Sequence, residues 1–118
     1  MISKELLSKV LKTELMGYEV LESALDKYNL YHINYNVQGI TKGYFINVYE
    51  LAHKCKEWAY DKYGVKLKSG IYIGTKSRTS KNEYVCTDYE EVVETATTEL
   101  EAVFLACEWI LEMEAKDD

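Results

Sequence analysis

The residues able to do chemistry are few: Cys55, Cys86 and Cys107, His32 and His53, the glycine-bearing stretch GIYIGTKS, and several clusters of charge. Cys107 stands in LEAVFLACEWILEME, residues 100–114, beside Glu108 and Trp109. A nucleophilic thiol needs a neighbouring cation or helix N-terminus to lower its pKa, and it needs access. Cys107 falls in the middle of a helical pattern, at the centre of its apolar stripe and among acids, so it is expected to pack in the core. Cys55 occupies the matching place on another helical segment, and Cys86 lies between Val85 and Thr87 on a strand pattern; both are expected to be structural. An odd number of cysteines without a C-x-x-C spacing suggests neither a disulfide framework nor a zinc knuckle.

His53 and Cys55 form an H-x-C pair, but residues two apart on a helix point about 200° apart and cannot share an ion. His53 instead shares a flank with Tyr49, Lys56 and Tyr60, the one place where a cryptic active site would be sought. His32 alternates with Leu30 and Asn34 and has no evident acid or thiol partner. GIYIGTKS, residues 70–77, falls short of the phosphate-loop pattern. Its glycines are too close, Thr75 precedes Lys76, and a strand pattern follows where a helix is required. No catalytic residue, metal site or cofactor is therefore expected, and the chain reads as a non-enzyme.

Charge is more informative. Residues 83–118 carry twelve Asp and Glu against one Lys, net −11, while residues 1–82 carry thirteen Lys and Arg against eight acids, net +5, together making the chain's −6. Glu90, Glu91 and Glu94 ahead of the last helix, with Glu101, Glu108 and Glu112 on it, form a candidate surface for a basic protein partner. Lys66, Lys68, Lys76, Arg78 and Lys81 form the densest basic cluster. They are the alternative contact, for nucleic acid, and equally what an exposed hairpin tip looks like.

The elements that must position these groups follow from periodicity. Ser3 can cap a helix running to about Lys12, with Leu6, Leu7, Val10 and Leu11 on one side. GYEVLES and YNLYHINYN read as two strands joined by a turn near Asp26, and GYFIN continues that pairing or adds a strand. Asn47 as N-cap, Glu50 three residues on and Gly64 as the stop bound a helix from Val48 to Tyr63. Its stripe is Val48, Leu51, Ala52, Cys55, Trp58 and Ala59. VKLKSGIYIGTK and EYVCTDY alternate as a hairpin around KSRTSKN, and a last helix spans about 97–114, its stripe Leu100, Val103, Phe104, Cys107, Ile110 and Leu111.

The two stripes superpose when the sequence is shifted by 52 residues, Cys55 falling on Cys107. The expectation is a single α+β domain over 1–118. It comprises an N-terminal helix and two ββα units forming a four-stranded, mainly antiparallel sheet with helices on one face. A composition of 47% hydrophobic and 29% charged residues fits a globular protein rather than a disordered one. With no apolar run near the roughly 18 residues a membrane span needs and no secretory signal pattern, a cytoplasmic location without membrane contact is expected.

The last helix carries Ala102, Leu105, Ala106, Trp109 and Met113 away from the core stripe. A helix apolar on two sides is either enclosed by its own chain or contacts a partner. Ala102, Leu105, Trp109 and Met113 are accordingly a candidate self-association surface, most simply of a two-fold homodimer, unless the N-terminal helix covers them.

ELAHKCKEWA, residues 50–59, and EAVFLACEWIL, residues 101–111, resemble segments carried in the same order by small uncharacterised accessory proteins of phages and prophages. The resemblance covers the two helices, less than a third of the chain, mostly at core positions. It implies a compact α+β accessory protein and transfers no catalytic residue. It also implies a binding role, such as inhibition of a host defence or nucleic-acid-handling complex.

Overall fold

The computed structural model describes residues 2–12, 15, 19–72, 82–86, 92–96 and 98–116, with backbone alone for 70–72, 82–86, 92–95 and 115–116. The protein is α+β. In chain order the elements are α1 (Lys4–Val10), β1 (Val20–Leu25), β2 (Leu30–Val37), β3 (Ile40–Asn47), α2 (Val48–Tyr63), β4 (Lys68–Tyr72), β5 (Asn82–Cys86), β6 (Val92–Ala96) and α3 (Glu99–Lys116). The chain divides into two compact units, Ile2–Lys54 and Cys55–Asp118, with the division inside α2.

In the first unit Ser3 caps α1, its side chain accepting from the Leu6 amide at 3.1 Å. The helix lies against β1 and buries Leu6 and Leu7. Strands β1, β2 and β3 form an antiparallel meander in sequence order. Two turns set its register. Between β1 and β2, the Asp26 carboxylate accepts from the Tyr28 and Leu30 amides at 2.8 and 3.0 Å, and Asn29 takes φ +63°. This is an Asx turn, which a short carboxylate side chain makes at little strain. Between β2 and β3, Gln38 and Gly39 have φ +51° and +85°. Two positive φ values in a two-residue loop match the right-handed twist of the flanking strands and pair Val37 with Ile40. Tyr31, Ile33 and Ile46 share the buried face, while His32, Asn34 and Phe45 share the open one.

Asn47 at the end of β3 caps α2, accepting from the Tyr49 amide at 2.9 Å, and the Val48 amide donates to the Asn29 carbonyl of the β1–β2 turn. The helix stops at Gly64, φ +66°, whose amide donates to the Tyr60 carbonyl. That conformation is open to glycine without the Cβ penalty. All six expected stripe residues of α2 are buried.

The second unit repeats the plan. β4, β5 and β6 form another antiparallel meander, and α3 lies against all three of its strands. Thr98 caps α3, its hydroxyl accepting from the Glu101 amide at 3.2 Å. The stripe of α3 is buried at Val103, Phe104, Cys107, Ile110 and Leu111, with Leu100 half-buried.

Among the described residues the expected single four-stranded sheet is thus corrected to two three-stranded sheets, and each ββα unit gains a strand to become βββα. The added strand is in each case the third: β3 is the extra strand that GYFIN offered as one alternative, and β6 was not expected. β3 exists as a separate strand because Gln38–Gly39 reverses the chain, and β6 takes up residues expected to lie before or at the start of the last helix. The shift of 52 survives the correction. It carries the first residue of β2, Leu30, onto that of β5, Asn82, and the first of β3, Ile40, onto that of β6, Val92.

Candidate functional site

The outward side of α3 has the arrangement that most needs an explanation. At about 100° per residue, Glu101, Glu108 and Glu112 fall within about 40° of one another, and Leu105, Trp109 and Met113 occupy the neighbouring arc of about 80°. Leu105, Trp109 and Met113 are 37%, 39% and 42% exposed. Spaced by four residues, they form one continuous ridge on the helix surface, and Glu108 and Glu112 belong to the next ridge. Glu101 and Glu112 are exposed and Glu108 is half-buried.

Ala102, grouped with this surface by its spacing, is fully buried, as is Ala106. Ala106 sits between the outward and core arcs, whereas Ala102 falls within the outward arc, between Trp109 and Met113, and is fully buried all the same. The self-association candidate is therefore reduced to Leu105, Trp109 and Met113. Of the acidic candidates, Glu94 lies on β6 opposite Val85, not at the start of a helix, and Glu90 and Glu91 lie outside the described residues. Lys66 and Lys68 are exposed, while Lys76, Arg78 and Lys81 lie outside the described residues.

His32 has a partner after all. Its Nε2 lies 2.7 Å from Oδ2 of Asp26, the turn residue whose other oxygen accepts two amides. The hydrogen bond from His32 comes first among the influences that hold the Asp26 carboxyl below its ordinary range, followed by the Leu30 amide. Since an ionised carboxylate only accepts, the imidazole donates from Nε2. The ring meets Phe45 edge-on across the strand pair, centroids 4.7 Å apart. Asp26 is fully engaged in closing the hairpin, so the arrangement orients a histidine on an open sheet face without itself forming a nucleophile and base pair.

A second polar cluster escaped the sequence. Lys56 on α2 donates to the Ser69 hydroxyl on β4 at 2.7 Å, and that hydroxyl donates to the Glu99 carboxylate at the start of α3. The hydroxyl bridges cation and carboxylate, joining three elements of the second unit, and its proton is committed to Glu99. Nothing in the run KSG signals this, because the partners come from separate elements.

Two of the cysteines behave as expected of core residues. Cys55 and Cys107 are fully buried, and the Cys107 thiol donates to the Cys55 carbonyl at 3.6 Å. Hydrogen bonding with Cys107 and then burial push the Cys55 thiol well above its usual range, away from the reactive thiolate. Cys86 lies on β5 opposite Lys68. GIYIGTKS begins within β4, its residues 73–77 lie outside the described residues, and the next described element is the antiparallel strand β5. His53 is exposed on α2, as are Tyr49 and Tyr60.

Among the described residues, no three His, Cys, Asp or Glu side chains are grouped to hold a metal ion, and no helix is long and apolar enough to cross a membrane. Compared with protein-family models, curated proteins and solved structures, the chain matches none.

Proposed function

We propose that this protein is a non-enzymatic interaction module that binds a basic protein through the outer side of α3. The observation that carries this reading is the exposed ridge of Leu105, Trp109 and Met113 beside the exposed Glu101 and Glu112. Apolar anchors of this kind, Trp and Met above all, supply the desolvated centre of an interface, and acids at their edge select a cationic partner and speed its approach. The resemblance of the two helices to phage accessory proteins directs the reading toward a host defence or nucleic-acid-handling complex, inhibited by acids that occupy a phosphate-binding surface. The exposed Lys66 and Lys68 support the alternative of direct nucleic-acid contact.

Capture from a cell extract at low salt tests the proposal, with Trp109→Glu as the control bait. A basic nucleic-acid-handling protein should be retained by the wild type, released by salt and absent from the control. Identical proteins on both baits would refute the reading. A salt-sensitive mobility shift of bare nucleic acid, lost in the Lys66→Glu/Lys68→Glu variant, would favour the alternative.

A further inference from the structure

We propose that two copies of this chain join through the open edge of β3, strand against strand and antiparallel, so that the first sheet continues from one copy into the other. The surface is separate from the outer side of α3, and the proposal does not depend on the partner assigned to that helix.

β3 lies at the edge of its sheet and pairs with β2 in unbroken register, from Leu30 opposite Asn47 to Val37 opposite Ile40. A two-residue loop closes on a hydrogen-bonded pair, here Val37 and Ile40. Such pairs recur at every second residue, so Ile40, Lys42, Tyr44 and Ile46 turn their amides and carbonyls toward β2, and Thr41, Gly43 and Phe45 turn theirs to the open edge. Those three residues are exposed, Phe45 by 63%. An edge of this kind is a template for a further strand, and proteins blunt it with proline, a bulge or several charges. β3 has no proline and no register shift, and its one charged residue is Lys42. The opposite edge, β1, is irregular, with a register shift between Val20 and Glu22. Pairing is therefore directed to β3 and closes at two copies.

The sequence of the edge selects a second copy of itself. Thr41, Gly43 and Phe45 are placed evenly about Gly43, so a two-fold axis there pairs Gly43 with the partner's Gly43 and Thr41 with the partner's Phe45. The second pair sets a β-branched side chain beside an aromatic ring, a favourable cross-strand combination. On the other side of the sheet Lys42 falls opposite the partner's Tyr44, a cation beside a ring, and Ile40, 63% exposed, falls opposite the partner's Ile46. At the axis itself the glycines leave no side chains to collide. A shift by two residues toward the β2–β3 turn would set Lys42 against its own counterpart. A shift the other way would draw on Asn47, which is committed to capping α2.

A single strand pair is a small contact, so a reversible dimer of micromolar affinity is expected, read by sedimentation equilibrium of the full chain from about 1 to 500 μM. Gly43→Lys places two lysines side by side on the axis and should weaken the dimer about tenfold or more. The monomer tolerates this change, because a Cβ at Gly43 meets only the Asn34 Oδ1 at 3.9 Å. Thr41→Pro removes an outward amide without touching the β2 ladder and should weaken the dimer likewise. Gly43→Cys should form a disulfide between copies on mild oxidation, with the wild type as control, since opposed hydrogen-bonded residues have Cα atoms about 5.5 Å apart. Trp109→Glu should leave the dimer intact. A wild type that stays monomeric overturns the proposal, as does a dimer that survives Gly43→Lys or Thr41→Pro, or a Gly43→Cys variant that fails to crosslink. Loss of the dimer in Trp109→Glu would move the contact to α3, and growth beyond two copies would show that the edge does not close; either result also overturns it.

Discussion

The two βββα repeats share an order of elements and a shift of 52 residues, yet they are built with different tightness. The first joins β1 to β2 through residues 26–29 and β2 to β3 through Gln38 and Gly39, and its β2 and β3 pair over eight residues each. The second has strands of five residues, separated by residues 73–81 and 87–91, and each sheet has one register shift, between Val20 and Glu22 in the first and Val85 and Cys86 in the second. In the first repeat the register is dictated locally, by an Asx turn and a turn of paired positive φ. In the second, α3 lies across all three strands.

Substitutions can break that comparison. The largest effects are expected at the aromatic centres. Tyr31, buried on β2, and Phe104, buried on α3, should each cost about 3 to 5 kcal/mol when changed to Ala, measured by urea unfolding. Hydrogen exchange adds the discrimination: Tyr31→Ala should release the amides of β1, β2 and β3 first, and Phe104→Ala those of β4, β5 and β6. If both variants opened both sheets alike, the two repeats would not be separately specified.

Cys107→Ser follows, at about 1 to 3 kcal/mol, because it replaces a buried thiol with a hydroxyl that is costlier to desolvate. A neutral thiol reagent should modify native Cys55 and Cys107 far more slowly than in denaturant, and equal rates would show that the core assignment fails. Gly39→Val should cost about 1 to 2 kcal/mol, since a β-branched residue is strained at φ +85° even though a Cβ there meets nothing within 4 Å. The loss should appear in the β2–β3 amides and spare the second sheet.

The smallest effect sharpens the comparison by acid titration. The Asp26 carboxyl is held below its ordinary value of 3.8 by His32 and two amides. A depressed native pKa contributes stability that is complete above the unfolded value and is lost as pH falls through the native one. Thermal midpoints followed from about pH 5 to pH 2 should show this loss, and Asp26→Asn should flatten it while lowering the midpoint at neutral pH. An unchanged acid profile in Asp26→Asn would remove the charged carboxylate and its bond to His32 as determinants of the first repeat, since asparagine can still close an Asx turn.

Much of this organisation can be read in the chain where local chemistry marks it. Ser3, Asn47 and Gly64 bound α1 and α2 because caps act on atoms within a few residues, and the buried stripes follow from helical spacing. β6 was hidden because VVETA stands immediately before a capped helix, and its acids suit a helix start as well as a strand. Its run of Val, Val and Thr was one available signal, and carrying β3 forward by 52 residues was another. The Asp26–His32 pair was hidden because it depends on how tightly residues 26–29 turn. Lys56, Ser69 and Glu99 could not be joined by any local rule. On α3, spacing identified Leu105, Trp109 and Met113 but not the burial of Ala102, which depends on side-chain length as well as angle.

The Cys107–Cys55 contact has a consequence for how this chain can change over time. Positions 55 and 107 are counterparts in the repeat and also neighbours in space, so a substitution at one alters the room left for the other. Their effects on stability should therefore be epistatic: in a double-mutant cycle, Cys55→Ala and Cys107→Val should differ from additivity by about 0.5 kcal/mol or more. Two segments that share only a pattern of elements need not answer to each other, but at this point they do.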